Sequence, residues 1–444
     1  MIWQQFRNRM RHKLPHYSLL YARLRPLLSR YRLPPGKWVD LDTVERANRR
    51  FLLQHAAEVG SMFKARAWDA CWICIVGIPR SRRLLKEQGK HLQPTTLQLT
   101  LLFPKGFLRQ MRDAEHQYYR KSLVHAIQSA DIVNPRAVAT WEQITREGLE
   151  EYLLTQHAMP DSPEPFIRTL DNIATGMLLH GFFGVGPDSE QYVELMQHYH
   201  RLGPFGLVWN VGEEQQQQAF HDIRSCLLNR VARKKQPDGI LGRLVHTDEL
   251  DDTMLGNLIY MVEMGRYDLY SLFRWLGKYA ASHPGLMQGI ALEAQSDNEA
   301  VSSLVDAFVQ ETLRMDQSER LIRIANRDII FDGYLIPKYA TVRLCLWEAH
   351  KSSDTFADPF DFNPERFIKQ SYAPDQYAPF GLDHHRCPFA DSVVAMSKAF
   401  TRVLASNYEI APIEDGLPVR GAYHWEPASR FSVKLARKVP GETL

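Results

Sequence analysis

Apolar residues recur with a helical period through most of the chain. The pattern predicts helices over Asp40–Ala56, Arg109–Ala130, Arg136–Gln156, Pro165–Phe183, Ser189–Leu202, Gly212–Lys235, Asp251–Ser282, Val301–Met315 and Asp391–Leu404. Asp40 or Asp42 is available to cap the first of these, and His283-Pro284 stops the longest. Stretches rich in β-branched and aromatic residues are fewer and shorter. Ala65–Gly77 reads as a strand, and Asp328–Phe331 and Tyr334–Ile336 flank an Asp332-Gly333 turn. Thr341–Trp347 and several short pieces within Tyr408–Lys438 complete the strand-like set. The fold class is therefore mainly α with small β-sheets.

Composition narrows the function classes. The chain has 444 residues with ample apolar content for a packed core, so disorder is not the default. A net charge of +3 and the absence of basic–aromatic repeats give no reason to expect nucleic acid. No apolar run approaches the ~20 residues of a membrane span. Residues 1–36 form a basic, mixed segment, with Arg7, Arg9, Arg11, Lys13, Arg23 and Arg25, that ends at Leu33-Pro34-Pro35-Gly36. It reads as a solvated or packed helix, with a membrane-surface helix as the alternative. Five scattered cysteines, Cys71, Cys74, Cys226, Cys345 and Cys387, do not form a disulfide framework and agree with a cytoplasmic, reducing location. Cys71 and Cys74 form a CxxC inside a strand pattern, where alternation puts them on opposite faces, and we read them as structural.

The chemistry gathers around Cys387. It lies in the stretch Phe380 to Phe389, just before a helix, where backbone N–H groups and the helix dipole favour a thiolate. Read alone, such a residue is a nucleophile, a metal ligand or a small buried hydrophobe. Two further pieces precede it: Glu311 and Arg314, three apart on one helix face, and Arg366 within Phe362 to Phe367. His116 and Arg120, four apart, share another helix face.

In this order and spacing these pieces resemble the cytochrome P450 superfamily, of the bacterial soluble type. The resemblance is most specific from Val301 onward and weak elsewhere. It implies one domain over 1–444, with a distal helix at 251–282 and the run from the Glu-x-x-Arg helix to the cysteine loop at 301–390. It implies haem b (iron protoporphyrin IX) with Cys387 as the axial thiolate, Phe380 packed under the porphyrin, and His385, His116, Arg120 and Arg323 toward the propionates. Arg320 and Arg327 stand near Arg323, so that last match is the softest. Glu311, Arg314 and Arg366 match a structural cluster. Ser189–Leu202 and Gly212–Lys235 match the helix pair that roofs the substrate pocket, and the Gly421–His424 turn matches a segment that reaches it.

Several positions depart from the family pattern. Asp383 and Phe389 replace loop glycines. On the distal helix the candidate catalytic run is Gly265, Arg266, Tyr267 and Asp268. Gly265 is kept, to leave room for oxygen; Tyr267 replaces an acid and Asp268 the usual threonine. A partly buried Asp268 carboxylate remains able to relay protons. Arg266 binds a substrate carboxylate or pairs internally with Glu263 or Asp268.

The sequence carries no dinucleotide fingerprint, P-loop or flavin domain. The first expectation is thus a monooxygenase acting on an apolar small molecule, with electrons from an external ferredoxin or flavodoxin and its reductase. The alternatives are a peroxide-driven or rearranging enzyme of the same fold, and a non-catalytic partner protein.

Overall fold

Helix boundaries follow local capping chemistry. Asn134 accepts a hydrogen bond from Ala137 N at 2.9 Å, with Pro135 at the first helical position. Asp251 accepts from Met254 N at 2.7 Å and starts the longest helix. Gly184, with φ of 62°, ends the helix Glu164–Phe183 in the left-handed conformation that glycine adopts without strain. The computed structural model describes residues 18–67, 70–94, 108, 111, 113–157, 162–202, 213–233, 238–295, 304–316, 320–383, 386–420 and 425–438.

In chain order the described elements begin with α1 (Ser18–Leu24, continued by a 3-10 turn, Arg25–Leu28), α2 (Leu41–Ala47), α3 (Phe51–Val59), β1 (Met62–Ala67), β2 (Ala70–Val76), α4 (Ile78–Gln88) and β3 (Leu92–Pro94). The helical half follows: α5 (Asp113–Ser129), α6 (Pro135–Thr155), α7 (Glu164–Phe183), α8 (Gln191–Arg201), α9 (Glu213–Arg233), α10 (Gly239–His246), α11 (Asp252–Ser282), α12 (Pro284–Glu293) and α13 (Leu304–Met315). The remainder is β4 (Arg320–Ala325), β5 (Ile329–Phe331), β6 (Tyr334–Ile336), β7 (Thr341–Cys345), α14 (Leu346–Ala349), α15 (Glu365–Lys369), α16 (Ala390–Asn407), β8 (Tyr408–Glu414), β9 (Val419–Arg420), β10 (Trp425–Glu426) and β11 (Ser432–Arg437).

One five-stranded sheet has the order β1-β2-β7-β4-β3; β2 and β7 run parallel and the other pairs antiparallel. β5–β6, β8–β11 and β9–β10 form two-stranded sheets. Two sequence expectations change here. The helix expected over Asp40–Ala56 is two helices, because Asn48 turns to an extended backbone and its side chain accepts from Arg50 N at 2.9 Å. The strand expected over Ala65–Gly77 is the β1–β2 hairpin, with Lys64 opposite Ile73. Within β2 the alternation holds: Cys71, Ile73 and Ile75 join one core cluster, and Trp72 and Cys74 another.

α7 and α11 run through the middle of the helical half. On α11, Phe273 stacks on Phe400 of α16 at 4.4 Å with planes 5° apart, and Phe273 is fully buried. A charged cluster sits inside the α7–α8–α11 packing. Arg266 Nε lies 3.3 Å from Asp171 and its Nη1 3.8 Å from Glu263, while His200 Nε2 lies 3.9 Å from Asp171. Burial pushes the Glu263 carboxyl up to about 8; Arg266 opposes the shift and Asp171 adds to it. At neutral pH Glu263 is thus mostly protonated, which leaves Arg266 and Asp171 as a one-to-one pair.

Two outcomes follow from this packing. Phe273→Ala should lower unfolding free energy by about 3–5 kcal/mol, as for other buried aromatics cut to alanine; a loss below about 1 kcal/mol in chemical denaturation would contradict the core position. Between the ordinary carboxyl value and about 8, folded Glu263 keeps a proton that the unfolded chain has released, so its contribution to stability falls as pH rises. The melting temperature of Glu263→Gln relative to the parent should therefore rise from pH 5 to pH 8. A flat or falling difference would refute the raised carboxyl.

Candidate functional site

The loop before α16 is held by its own backbone. Cys387 N donates to Phe380 O at 2.8 Å, and Arg386 N to Asp383 O at 3.0 Å. Cys387 is left half-exposed, and Phe380 beside it is also only partly covered. Asp383 has φ of 47°, so it adopts the left-handed conformation expected of the glycine it replaces; aspartate tolerates this better than most side chains. Phe389 has φ of −100° and needs no glycine. Its ring lies 4.7 Å from that of Phe182, and a Cβ added to Gly181 would come within 3.2 Å of it. Both departures from the family loop are thereby accommodated. His385 lies outside the described residues.

Charges around the thiol act in both directions. Burial pushes Cys387 up to about 11 and Asp268 adds to this, while the Phe389 N–H, Arg386 and Arg120 oppose it. A bound metal cation displaces such a proton outright, so the thiol is a ligand in waiting and a poor free nucleophile.

The loop is buttressed by a buried ion cluster. Arg314 on α13 grips Glu311 through two bonds, at 2.7 and 2.8 Å, and Arg366 Nε reaches the same carboxylate at 3.1 Å. Asn363 N adds a fourth donor at 2.9 Å. The remaining guanidinium N–H groups donate to carbonyls of His350, Pro359 and Asp361 from Arg314, and of Ala357 and Asp361 from Arg366. His350 carries this order onward: its Nε2 accepts from Ala378 N at 3.0 Å, two residues before Phe380. Burial holds His350 neutral, as this bond requires, with Lys351 and Arg314 acting in the same sense. Nothing in the local sequence pattern marks His350, which caps the C-terminal end of α14.

α11 supplies the opposite wall. Consecutive helix residues point about 100° apart, so Gly265, Arg266 and Tyr267 fan out, while Asp268, three residues on, returns to the side of Gly265. A Cβ on Gly265 would meet Leu178 of α7 at 3.4 Å, an ordinary van der Waals contact, so this glycine sits where α11 approaches α7. Arg266 is fully buried in the cluster with Asp171 and Glu263, which removes it from substrate binding. Tyr267 is buried and its hydroxyl donates to Glu426 on β10 at 2.6 Å. Glu426 also pairs with Arg274 at 3.3 Å, and Trp275 Nε1 donates to Trp425 O at 3.0 Å. Tyr267 therefore ties the C-terminal hairpin to α11 and takes no part as a catalytic group. Asp171 and Glu426 are partners that sequence reasoning missed, because each comes from a distant segment. The Gly421–His424 turn lies outside the described residues.

Asp268 is the exception in this run. It is exposed in the middle of an otherwise buried helix, and it acts electrostatically on Cys387. Met261, Met264 and Gly265 are partly exposed on the same side, so α11 presents one open face at helical spacing. Arg120 on α5 interacts electrostatically with Cys387 and donates to Arg386 O at 3.3 Å. His116, one turn earlier, is half-buried, and its pKa is lowered by burial and by Arg120. Arg323 is buried on β4, with Nη1 donating to Ile322 O at 2.9 Å.

This donor set fits haem. A soft thiol held on a short loop faces an open helix wall, with the Arg120 cation beside it for a propionate. The Asp268 carboxylate, exposed on the neighbouring helix, acts electrostatically on the thiol.

Residues 295–413 match the family model described as Cytochrome P450. The chain is 31% identical over 188 residues to abscisic acid 8'-hydroxylase 2 of Arabidopsis thaliana, covering 38% of this chain and 39% of that protein. It is 29% identical over 237 residues to abscisic acid 8'-hydroxylase 1 of the same plant, covering 48% and 50%. The chain thus spans half or less of the length of these curated relatives. Among solved structures, the retinoic acid-bound cyanobacterial CYP120A1 superposes with a TM-score of 0.72 at 18% identity, covering 92% of this chain and 100% of that one. A zebrafish cytochrome P450 solved with progesterone gives 0.69 at 16%, covering 87% and 99%. The chain thus has the fold of solved cytochrome P450 structures, and its C-terminal part, with the cysteine loop, matches the Cytochrome P450 family model.

Proposed function

We propose that the protein is a haem-thiolate monooxygenase that inserts oxygen into a largely apolar small molecule, with electrons from an external ferredoxin or flavodoxin and its reductase. Haem bound through a thiolate supplies the oxygen activation. The observation that carries the reading is the exposed Asp268 carboxylate on the open face of α11, set against the half-exposed Cys387. Cys387 would hold the iron. Phe380 would pack beneath the ring, and Arg120, with His116, His385 and Arg323, would pair with the propionates. Asp268 would hold and pass the protons that threonine-bearing relatives manage by hydroxyl and water. Glu311, Arg314 and Arg366 would act on the loop and not on the substrate.

The named ligands and substrates of the similar proteins, abscisic acid, retinoic acid and progesterone, support an apolar small molecule as the substrate class. Exposed Arg386 and half-exposed Arg402 lie at or near the loop and α16, on a face suited to an acidic electron carrier, although Arg386 also pairs with Asp391 at 3.1 Å. Five cysteines without disulfides agree with a cytoplasmic site of action. No helix among the described residues is long and apolar enough to cross a membrane. A peroxide-driven reading is favoured by the same carboxylate, since an acid at this place can both accept and return a proton.

Two experiments decide. The reduced, carbon monoxide-treated protein should show the strongly red-shifted thiolate band, and Cys387→Ser should lose it while keeping its helix content; a retained band would refute the ligand. Asp268→Ala should lower electron-driven product per electron consumed by about tenfold or more. Unchanged coupling would remove Asp268 from proton delivery, and product formed only with peroxide would favour the second reading.

A further inference from the structure

Phe389 stands where the cytochrome P450 pattern has a loop glycine, and its ring is buried. The ring lies 4.7 Å from that of Phe182, with planes 37° apart, and both belong to the main hydrophobic core. Gly181 makes room for it: an added Cβ would meet Phe389 Cζ at 3.2 Å and Met396 of α16 at 3.5 Å. Gly181 and Phe182 sit in the last turn of α7, and the end of that helix is itself fixed. Arg230 of α9 donates to Phe183 O at 3.2 Å and to Gly184 O at 2.7 Å.

The same residue makes two backbone bonds next to the thiol. Its N–H donates to the Cys387 sulfur, and its carbonyl accepts from Val393 N at 3.0 Å, which opens α16. Phe389 is the N-cap of that helix and has no side-chain oxygen with which to orient the turn. Ring and amide share one Cα, so anchoring the ring on α7 restricts how the amide can turn. Glycine at this position would carry no such restraint.

An N–H that bonds to a thiolate sulfur draws charge from it, and such bonds tune the potential of an iron held by that sulfur. We propose that Phe389, packed against Phe182 and Gly181 of α7, is a positioning residue for the Cys387 sulfur: the ring aims the amide, and so sets how strongly the sulfur donates to haem iron. Phe182 and Gly181 act through it, which makes the end of α7 part of the support of the thiolate loop. The inference rests on the haem-thiolate reading, and the measurements that test the two are separable.

The parent protein, loaded with haem, should show the thiolate–carbon monoxide band, which secures the ligand independently. Phe389→Gly should then lower the iron(III)/iron(II) reduction equilibrium about tenfold, equivalent to ~59 mV for one electron, because a slackened amide leaves more charge on sulfur. Phe182→Ala should shift the midpoint in the same direction. Phe389→Leu, which keeps apolar bulk against α7, should restore most of the parent value. The iron–sulfur stretch, read by resonance Raman, should rise in the two variants whose midpoint falls. Phe273→Ala weakens the packing of α16 on α11 and should leave both readings at their parent values; an equal shift there would reduce the effect to general loosening and overturn the assignment. Midpoints within about twofold of the parent equilibrium in both Phe389→Gly and Phe182→Ala would also overturn it, while an intact band leaves the ligand standing. If Phe389→Gly fails to hold haem, Phe182→Ala decides. Absence of the thiolate band in the parent would overturn the haem-thiolate reading and this inference with it.

Discussion

The structure depends on one buried carboxylate. Glu311 is fully enclosed and accepts from Arg314, Arg366 and the Asn363 backbone, so its charge is opposed and each oxygen is bonded. Buried charges of this kind are costly to desolvate and are tolerated only when the geometry satisfies them fully. That condition makes the cluster a ruler. The two guanidinium groups can meet Glu311 only if α13, α15 and the loop carrying Pro359 and Asp361 stand in one arrangement. His350 extends the constraint to Ala378, and Phe380 then sets the amide of Cys387. The position of the thiol is thereby fixed by groups that never approach it.

The second organising constraint is helix geometry on α11. Rotation of about 100° per residue sends neighbouring side chains in different directions. One lies where α11 approaches α7, one joins a buried ion cluster, one anchors the C-terminal hairpin and one acts electrostatically on Cys387. Each unusual residue of this run thus answers to a different neighbour. Arginine and tyrosine at these places are explained by partners on α7 and β10, and Asp268 alone of the four is exposed.

The edge formed by α1 is organised by different forces. Its inner side is bonded to Tyr339 and Asp328, and its outer side keeps leucines and cations in water.

The linear pattern was enough to place most helices, because a 3.6-residue apolar period leaves a local mark wherever one face is buried. It also displayed Glu311, Arg314, Arg366 and Cys387 with the spacing that resembles the cytochrome P450 pattern, and the alternation that separates Cys71 from Cys74. Local pattern failed where pairing decides. The β1–β2 hairpin looked like one strand, because both arms are buried and the reversal sits between similar side chains. The break at Asn48 depends on one side-chain bond. In the candidate catalytic run the Glu263 partner of Arg266 was legible locally, whereas Asp171 and Glu426 lie far away in sequence and only contact pairs them with Arg266 and Tyr267. The sequence by itself determined the helices, the ion cluster's members and the thiol. The tertiary structure decided which side chains face that thiol, because direction around a buried helix is set by what packs against it.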